Sequence, residues 1–323
     1  MTAPRRRAFT LIELLVVTVV MASFLGLLAA GMRPSAASHV RQLSQGLSSA
    51  ILAARTRALG NDTGAALIFS VPSGDVASNV ILTADVPPFA VGTVSSGMPP
   101  TTLSSTSTTV NLTLENADAT DLATGYEIRF FGGNSSSLPK TAWMGFLPSG
   151  GSPAGTVSLR SSAGQTINNT VWPSAPSGSS LRFEIARYPI ASLPAASLPK
   201  LAAIDLRYSG IGEAMTGNYG TLSGKGSIGI TFNSTGGLDS VILYDASGVA
   251  PAQPFAPLYL LIAPLADIQD DTSLQSQNSR WLVIAPGTGR VSVAANNPAS
   301  GNDAAAVKTA RALAREGVMA GVK

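Results

Sequence analysis

The chain contains one histidine, His39, and no cysteine, which removes most of the side-chain chemistry an enzyme draws on. A zinc site built from the usual nitrogen and sulfur ligands cannot be assembled from a single imidazole. A Ser-His-Asp arrangement would have to use His39, which stands at the start of an amphipathic segment beside a long apolar run. No Gly-x-Ser-x-Gly elbow is present. Gly220-Thr221-Leu222-Ser223-Gly224-Lys225-Gly226 has the outline of a phosphate loop, but it is one residue short and Gly226 replaces the Ser or Thr that would touch magnesium. A hairpin loop is the better reading. Asp267, Asp270 and Asp271 form the densest acidic group and are the candidate oxygen ligands for Ca²⁺. They lack the spacing and the glycine of an EF-hand, which favours a solvated loop. We therefore expect no catalytic residue and no cofactor, with Ca²⁺ at these aspartates as the one candidate metal.

The N-terminus offers chemistry of another kind. Arg5, Arg6 and Arg7 precede a small residue, Ala8, and then the 24 residues from Phe9 to Met32 contain one charge, Glu13. As a helix that run spans about 36 Å, enough to cross a hydrocarbon core with some tilt. The arginines obey the positive-inside rule, so the N-terminus is expected in the cytoplasm and the remainder exported. A carboxylate within such a helix costs on the order of 2.5 to 3.5 kcal/mol at its centre and calls for a partner. Cutting the chain between Ala8 and Phe9 creates one: the new α-ammonium lies about one helical turn from Glu13, and in a stack of parallel helices it can meet a neighbour's carboxylate. A Sec signal peptide, with an exit at Ala29-Ala30-Gly31 or Ser35-Ala36-Ala37, or a plain anchor would explain the apolar run but not Glu13.

The nine residues Phe9-Thr10-Leu11-Ile12-Glu13-Leu14-Leu15-Val16-Val17, behind a short basic leader and a small residue, resemble the signature of the prepilin family, the type IV pilins and the pseudopilins of type II secretion. The resemblance implies a prepilin peptidase that cuts after Ala8 and methylates the Phe9 amine, with Glu13 guiding subunit docking. The family usually has Gly before the cut. Ala8 is the next smallest side chain, so cleavage is expected to survive. Keeping Glu13 argues, by resemblance, against the tip subunit of the pseudopilus, which lacks that carboxylate.

Composition fits an exported product. Without cysteine, stability must come from packing. Charged residues make up 12% of the chain against about 25% in a typical soluble domain, so the surface must be largely Ser, Thr, Asn and Gly. Three of the 21 Lys and Arg belong to the leader, which leaves 18 against 18 acids. A general electrostatic pull toward nucleic acid is not supported.

Several elements must position these residues. Arg33-Pro34 interrupts the first helix. Val40, Leu43, Leu47, Ala50, Ile51, Ala54 and Ala58 then recur at helical spacing, with Arg41, Gln42, Ser44, Gln45, Ser48, Ser49, Arg55 and Arg57 on other positions. Gly60-Asn61 should stop this helix in left-handed backbone, and Leu67-Ile68-Phe69 should open a strand. Leu181 to Ile185, Ile204 to Tyr208 and Ile228 to Phe232 alternate apolar and polar residues, as strands buried on one face do. Asn233 to Gly237 and Pro286 to Gly289 read as hairpin turns. Val71 to Gly125, rich in Ser and Thr, reads as long loops around short strands such as Val110 to Glu115. The turn Phe232-Asn233-Ser234-Thr235-Gly236 and the terminal Thr288-Gly289-Arg290 are similar to the closing strands of H-type minor pseudopilins. From Asp303 to Met319 a helix is expected, with Lys308, Arg311 and Arg315 as a basic side that either packs peripherally or meets a partner subunit or DNA.

The expected fold class is α+β and pilin-like, with a long N-terminal helix in a membrane part and an amphipathic part, packed on a mostly antiparallel β domain with long loops. Its expected segments are a leader at 1–8, a transmembrane and filament-core helix at 9–32, an amphipathic helix at 33–60, an exported β-rich domain at 61–298 and a helical tail at 299–323. The resemblance implies a non-enzymatic subunit whose partners are other pilin or pseudopilin subunits, the prepilin peptidase, an inner-membrane assembly platform and the inner membrane, with the C-terminal domain periplasmic. The rival reading is a membrane-anchored exported protein whose Ser/Thr-rich loops bind a surface, a polysaccharide or DNA.

Overall fold

The computed structural model describes residues 11–31, 35–71, 75–96, 108–110, 113–115, 127–132, 144–148, 157–161, 181–191, 196–197, 199–245 and 248–320. Two helices come first, α1 (Leu11–Gly31) and α2 (Ala36–Leu59). Arg33-Pro34, where a break is expected, lies outside the described residues. The Ser35 side chain caps α2 by accepting a hydrogen bond from the Ser38 N–H at 3.3 Å. At the other end the Gly60 N–H donates to the Arg57 carbonyl at 3.2 Å and the Asn61 N–H to the Ala58 carbonyl at 3.1 Å. The expected left-handed stop is corrected: Gly60 has φ −94°, and left-handed backbone comes only at Gly64, with φ 87°. The Asn61 side chain turns the chain instead, its Oδ1 accepting from the Thr63 N–H at 3.3 Å.

The strands follow in order: β1 (Ala65–Ser70), β2 (Ala77–Ser78), β3 (Val80–Asp85), β4 (Ala90–Ser96), β5 (Thr108–Val110), β6 (Thr113–Glu115), β7 (Glu127–Gly132), β8 (Met144–Pro148), β9 (Val157–Ser161), β10 (Leu181–Ile185), β11 (Ile190–Ala191), β12 (Ala196–Ser197), β13 (Ala202–Ile211), β14 (Ser227–Phe232), β15 (Leu238–Asp245), β16 (Gly248–Ala252) and β17 (Leu258–Pro264). A short helix α3 (Leu265–Gln269), β18 (Arg280–Ile284), β19 (Val291–Ala295) and α4 (Ala304–Ala320) close the chain. Among the described residues they form three sheets, ordered β11-β3-β1-β14-β15-β16 with β12 beside β3, β5-β9-β8-β7-β10-β4-β6, and β19-β18-β17-β13-β2. Every described pairing is antiparallel. The protein is an α+β protein of N-terminal helices followed by mostly antiparallel sheets. The single strand expected over Val110 to Glu115 is corrected: β5 and β6 pair with β9 and β4 at opposite edges of the middle sheet.

One stripe of α2 (Val40, Leu43, Leu47, Ile51, Ala54 and Ala58) packs against the inner faces of the first and third sheets in a single apolar cluster with residues such as Leu67, Ile230, Leu260 and Leu282. Ser44, expected on the polar side, is buried with this stripe; its hydroxyl donates to the Arg41 carbonyl at 2.8 Å, which satisfies it within its own helix. α4 covers the far face of the third sheet, where Val307, Ala310 and Ala314 meet Tyr208, Tyr259, Leu261 and Trp281.

That second layer alters the reading of the strands. β10 alternates as expected, with Leu181, Phe183 and Ile185 buried. β13 does not: Asp205 is fully buried along with Ile204 and Leu206, since α3 and α4 cover the face expected to be solvated. β14 likewise buries Thr231, whose hydroxyl meets the Ser240 hydroxyl at 2.7 Å.

Candidate assembly site

α1 opens with a run of apolar side chains that no other described element covers. Leu11, Ile12, Leu14, Leu15, Val16, Val17, Val19, Val20, Met21 and Phe24 are all exposed, and they point to every side of the helix. Glu13 lies in its first turn and is exposed as well. Ala8 and Phe9 lie outside the described residues. Thr18 and Ser23 close their hydroxyls on the Leu15 and Val19 carbonyls at 2.8 and 2.9 Å, so neither adds a polar face that would favour water. Among the described residues no helix is long and apolar enough to cross a membrane. Side chains of α1 are described over 11–24, a stretch shorter than the about 20 residues a span requires.

The fold holds α2 by an arrangement at its C-terminal end. There two hairpin turns meet. In the first, β14 to β15, the Asn233 side chain accepts from the Thr235 N–H at 3.1 Å and the Gly237 N–H at 2.9 Å. In the second, β18 to β19, the Gly289 N–H donates to the Ala285 carbonyl at 2.9 Å. The Leu238 N–H then donates across to the Pro286 carbonyl at 2.8 Å, and Arg55 Nε of α2 donates to the Gly236 carbonyl at 3.2 Å. Gly289, at φ 60°, lies so close to Gly236 that a Cβ there would fall inside contact distance of its carbonyl oxygen. The two turns singled out in the sequence, one closing on Gly236 and one on Gly289, are therefore a single structural unit.

The remaining candidates do not gather into a reactive site. His39 is half-buried in the first turns of α2, and its Nε2 is buried without a hydrogen-bond partner among the described residues. The loop from Gly220 to Gly226 joins β13 to β14 and offers the Gly220 carbonyl inward. Asp271 is engaged, its Oδ1 taking an ion pair from Arg207 at 2.6 Å and a hydrogen bond from the Tyr208 hydroxyl at 2.7 Å. Burial, reinforced by that carboxylate, pushes the Tyr208 phenol well above its ordinary value. Arg207 also pairs with the buried Asp205 at 2.9 Å, whose Oδ2 accepts from Ser273 at 2.7 Å. Burial would lower Arg207, but the carboxylates of Asp205 and Asp271 outweigh it and hold the guanidinium above its ordinary value. Asp267 stands in α3 and Asp270 ends it. Among the described residues no three His, Asp or Glu side chains converge on a metal position.

The basic side expected on α4 is corrected. Arg311 is fully buried and donates to the Tyr208, Gly212 and Gly220 carbonyls at 2.6, 2.8 and 3.0 Å, with the Tyr259 ring 5.8 Å from its guanidinium carbon. Burial pushes it down to about 10, partly offset by Tyr259. Arg315 pairs with Glu213 at 3.0 Å. Arg311 holds α4 to the third sheet and presents no charge to an outside partner. The pattern contained the signal, since Arg311 falls on the same helical stripe as Val307, Ala310 and Ala314.

An exposed, mostly apolar helix with one carboxylate in its first turn thus precedes a helix packed onto antiparallel sheets. Residues 3–29 match the family model described as the prokaryotic N-terminal methylation motif. This match supports membership of the type IV prepilin and pseudopilin family. The chain matches no curated protein and no solved structure.

Proposed function

We propose that this protein is a non-enzymatic filament subunit of a type II secretion pseudopilus or a type IV pilus. It is stored in the inner membrane with its N-terminus in the cytoplasm, cut between Ala8 and Phe9, methylated on the Phe9 amine and assembled through α1. The observation that carries the reading is the coincidence of the methylation motif at residues 3–29 with an α1 whose described apolar side chains are exposed on every face. Such a surface needs a bilayer or neighbouring subunits around it. Glu13 meets the Phe9 ammonium of an adjacent subunit, which removes the cost of the buried carboxylate. The turn residues Phe232 to Gly236 and Thr288 to Arg290, which resemble the closing strands of H-type minor pseudopilins, favour a place among such subunits.

The test is the intact mass of the protein from membranes with and without the prepilin peptidase. Loss of residues 1–8 plus one methyl group, only with the peptidase, is the expected result. An uncut chain or a cut near Ala30 or Ala37 would overturn the reading. Glu13→Ala should leave cleavage in place and abolish incorporation into filaments, read by shear fractionation; normal incorporation would remove Glu13 from the assembly role.

A further inference from the structure

The outer strands of the three sheets differ in one respect. β2, β11 and β12 are two residues long, β5 and β6 are three, and β16 carries Pro251. Shortness and proline are the means by which sheet edges are kept from pairing with other chains. β19, Val291-Ser292-Val293-Ala294-Ala295, has neither, and it has no charge.

Its free hydrogen-bonding groups follow from the ladder. At one end the Ala285 N–H donates to the Arg290 carbonyl at 2.9 Å, and at the other the Asn296 N–H donates to the Ser279 carbonyl at 3.1 Å. With the register Ile284↔Val291 through Arg280↔Ala295, antiparallel alternation turns the backbone groups of Ser292 and Ala294 toward β18 and those of Val291, Val293 and Ala295 outward. Among the described residues, no backbone group of 291–295 bonds outside β18. Val293 is 39% exposed and Ala295 is exposed.

The strand is also held rigid at both ends. The paired hairpin turns fix its start. At its finish Asn296 accepts from Trp281 Nε1 at 2.9 Å and donates to the Leu274 carbonyl at 2.8 Å. Two cations bracket it: Arg290 immediately precedes Val291, and Arg280 stands opposite Ala295. Neither makes an ion pair among the described residues.

We propose that the β19 edge is a docking site for an extended strand of a different protein, apolar at alternate positions and acidic at its ends. The outward N–H and C=O groups supply main-chain pairing, Val291, Val293 and Ala295 supply the apolar contacts, and Arg280 and Arg290 select acidic flanks. A second copy of this chain is the poorer occupant. Antiparallel β19-to-β19 pairing centred on Val293 would set the Arg290 of one copy opposite the Asn296 of the other, and the uncharged strand Val291–Ala295 would bring no carboxylate to either arginine.

The probe is a fluorescent peptide of about nine residues, with Val at alternate positions, Thr between them and Glu at both ends. It is titrated by anisotropy against the full chain in detergent micelles. Saturable binding is expected, weakened at least about tenfold by N-methylation of the peptide backbone or by Lys in place of Glu. Val293→Pro removes an outward N–H without breaking a bond to β18, and Val293→Lys blunts the edge without changing the backbone. Both should melt as the parent does and lose binding at least about tenfold. No saturable binding, or equal binding by the methylated peptide or by Val293→Lys, would overturn the proposal. So would Val293-dependent self-association of the unliganded chain in sedimentation, which would make a second copy the occupant.

Discussion

Arg311 brings its charge into the core and bonds it to three carbonyl oxygens, Tyr208 of β13 and Gly212 and Gly220 of the loop that follows it. A methionine of similar length would keep the packing and leave those carbonyls unsatisfied. Arg311→Met should therefore cost about 3 kcal/mol, read as a lower urea midpoint at unchanged slope. Arg311→Lys should recover only part of it, since an ammonium cannot span three acceptors in the plane of a fork. Glu127 is a half-buried carboxyl whose charge makes stability depend on pH. Burial, and then the negative charge of Asp239, raise its carboxyl from 4.5 to about 7. The folded state thus binds this proton more tightly than the unfolded chain, so stability falls as pH rises from about 4.5 to about 7 and is level above that. Glu127→Gln should flatten that decline, measured as urea midpoints at pH 5 and pH 8; an unchanged decline would assign it to other groups.

At the scale of elements, the meeting of the two hairpin turns is the feature on which the end of α2 depends. Gly289→Ala places a Cβ against the Gly236 carbonyl and forces an L-residue into left-handed backbone. The expected loss is at least about 2 kcal/mol, with hydrogen-exchange protection falling first around residues 233–237, 285–290 and the last turn of α2. Each turn was legible by itself, because Asn-Ser-Thr-Gly-Gly and Pro-Gly-Thr-Gly mark chain reversals through local chemistry. Their contact was not, since it joins segments about fifty residues apart and depends on how the first and third sheets meet at α2. The alternation in β10 was legible for the same local reason. In β13 the alternation misled, because covering helices arrive from later in the chain and local periodicity contains no trace of them.

For the whole molecule, α2 is the common element of the first and third sheets. Leu47 is fully buried in the cluster that joins them. Leu47→Ala should cost about 2 to 5 kcal/mol and loosen both sheets together, seen as one cooperative transition at a lower denaturant midpoint. Two separate transitions would show that the sheets fold independently of the helix. With α2 packed in this way, the apolar surface of α1 is left outside the core, available to a bilayer or to other subunits.

The sequence by itself determined the N-terminal module and the class of fold. A basic leader, a small residue and an apolar run with one carboxylate constrain one another through desolvation and charge, and those constraints act within a few helical turns. Helical periodicity, strand alternation and turn chemistry are equally local. Tertiary structure alone decided that Arg311 points into the core, that Asp205 and Asp271 are spent on Arg207, that the Gly236 and Gly289 turns form one unit, and that β19 pairs on one side alone among the described residues. Each of these depends on which surfaces meet across long sequence separations, where burial and the pairing of polar groups are set by distant segments.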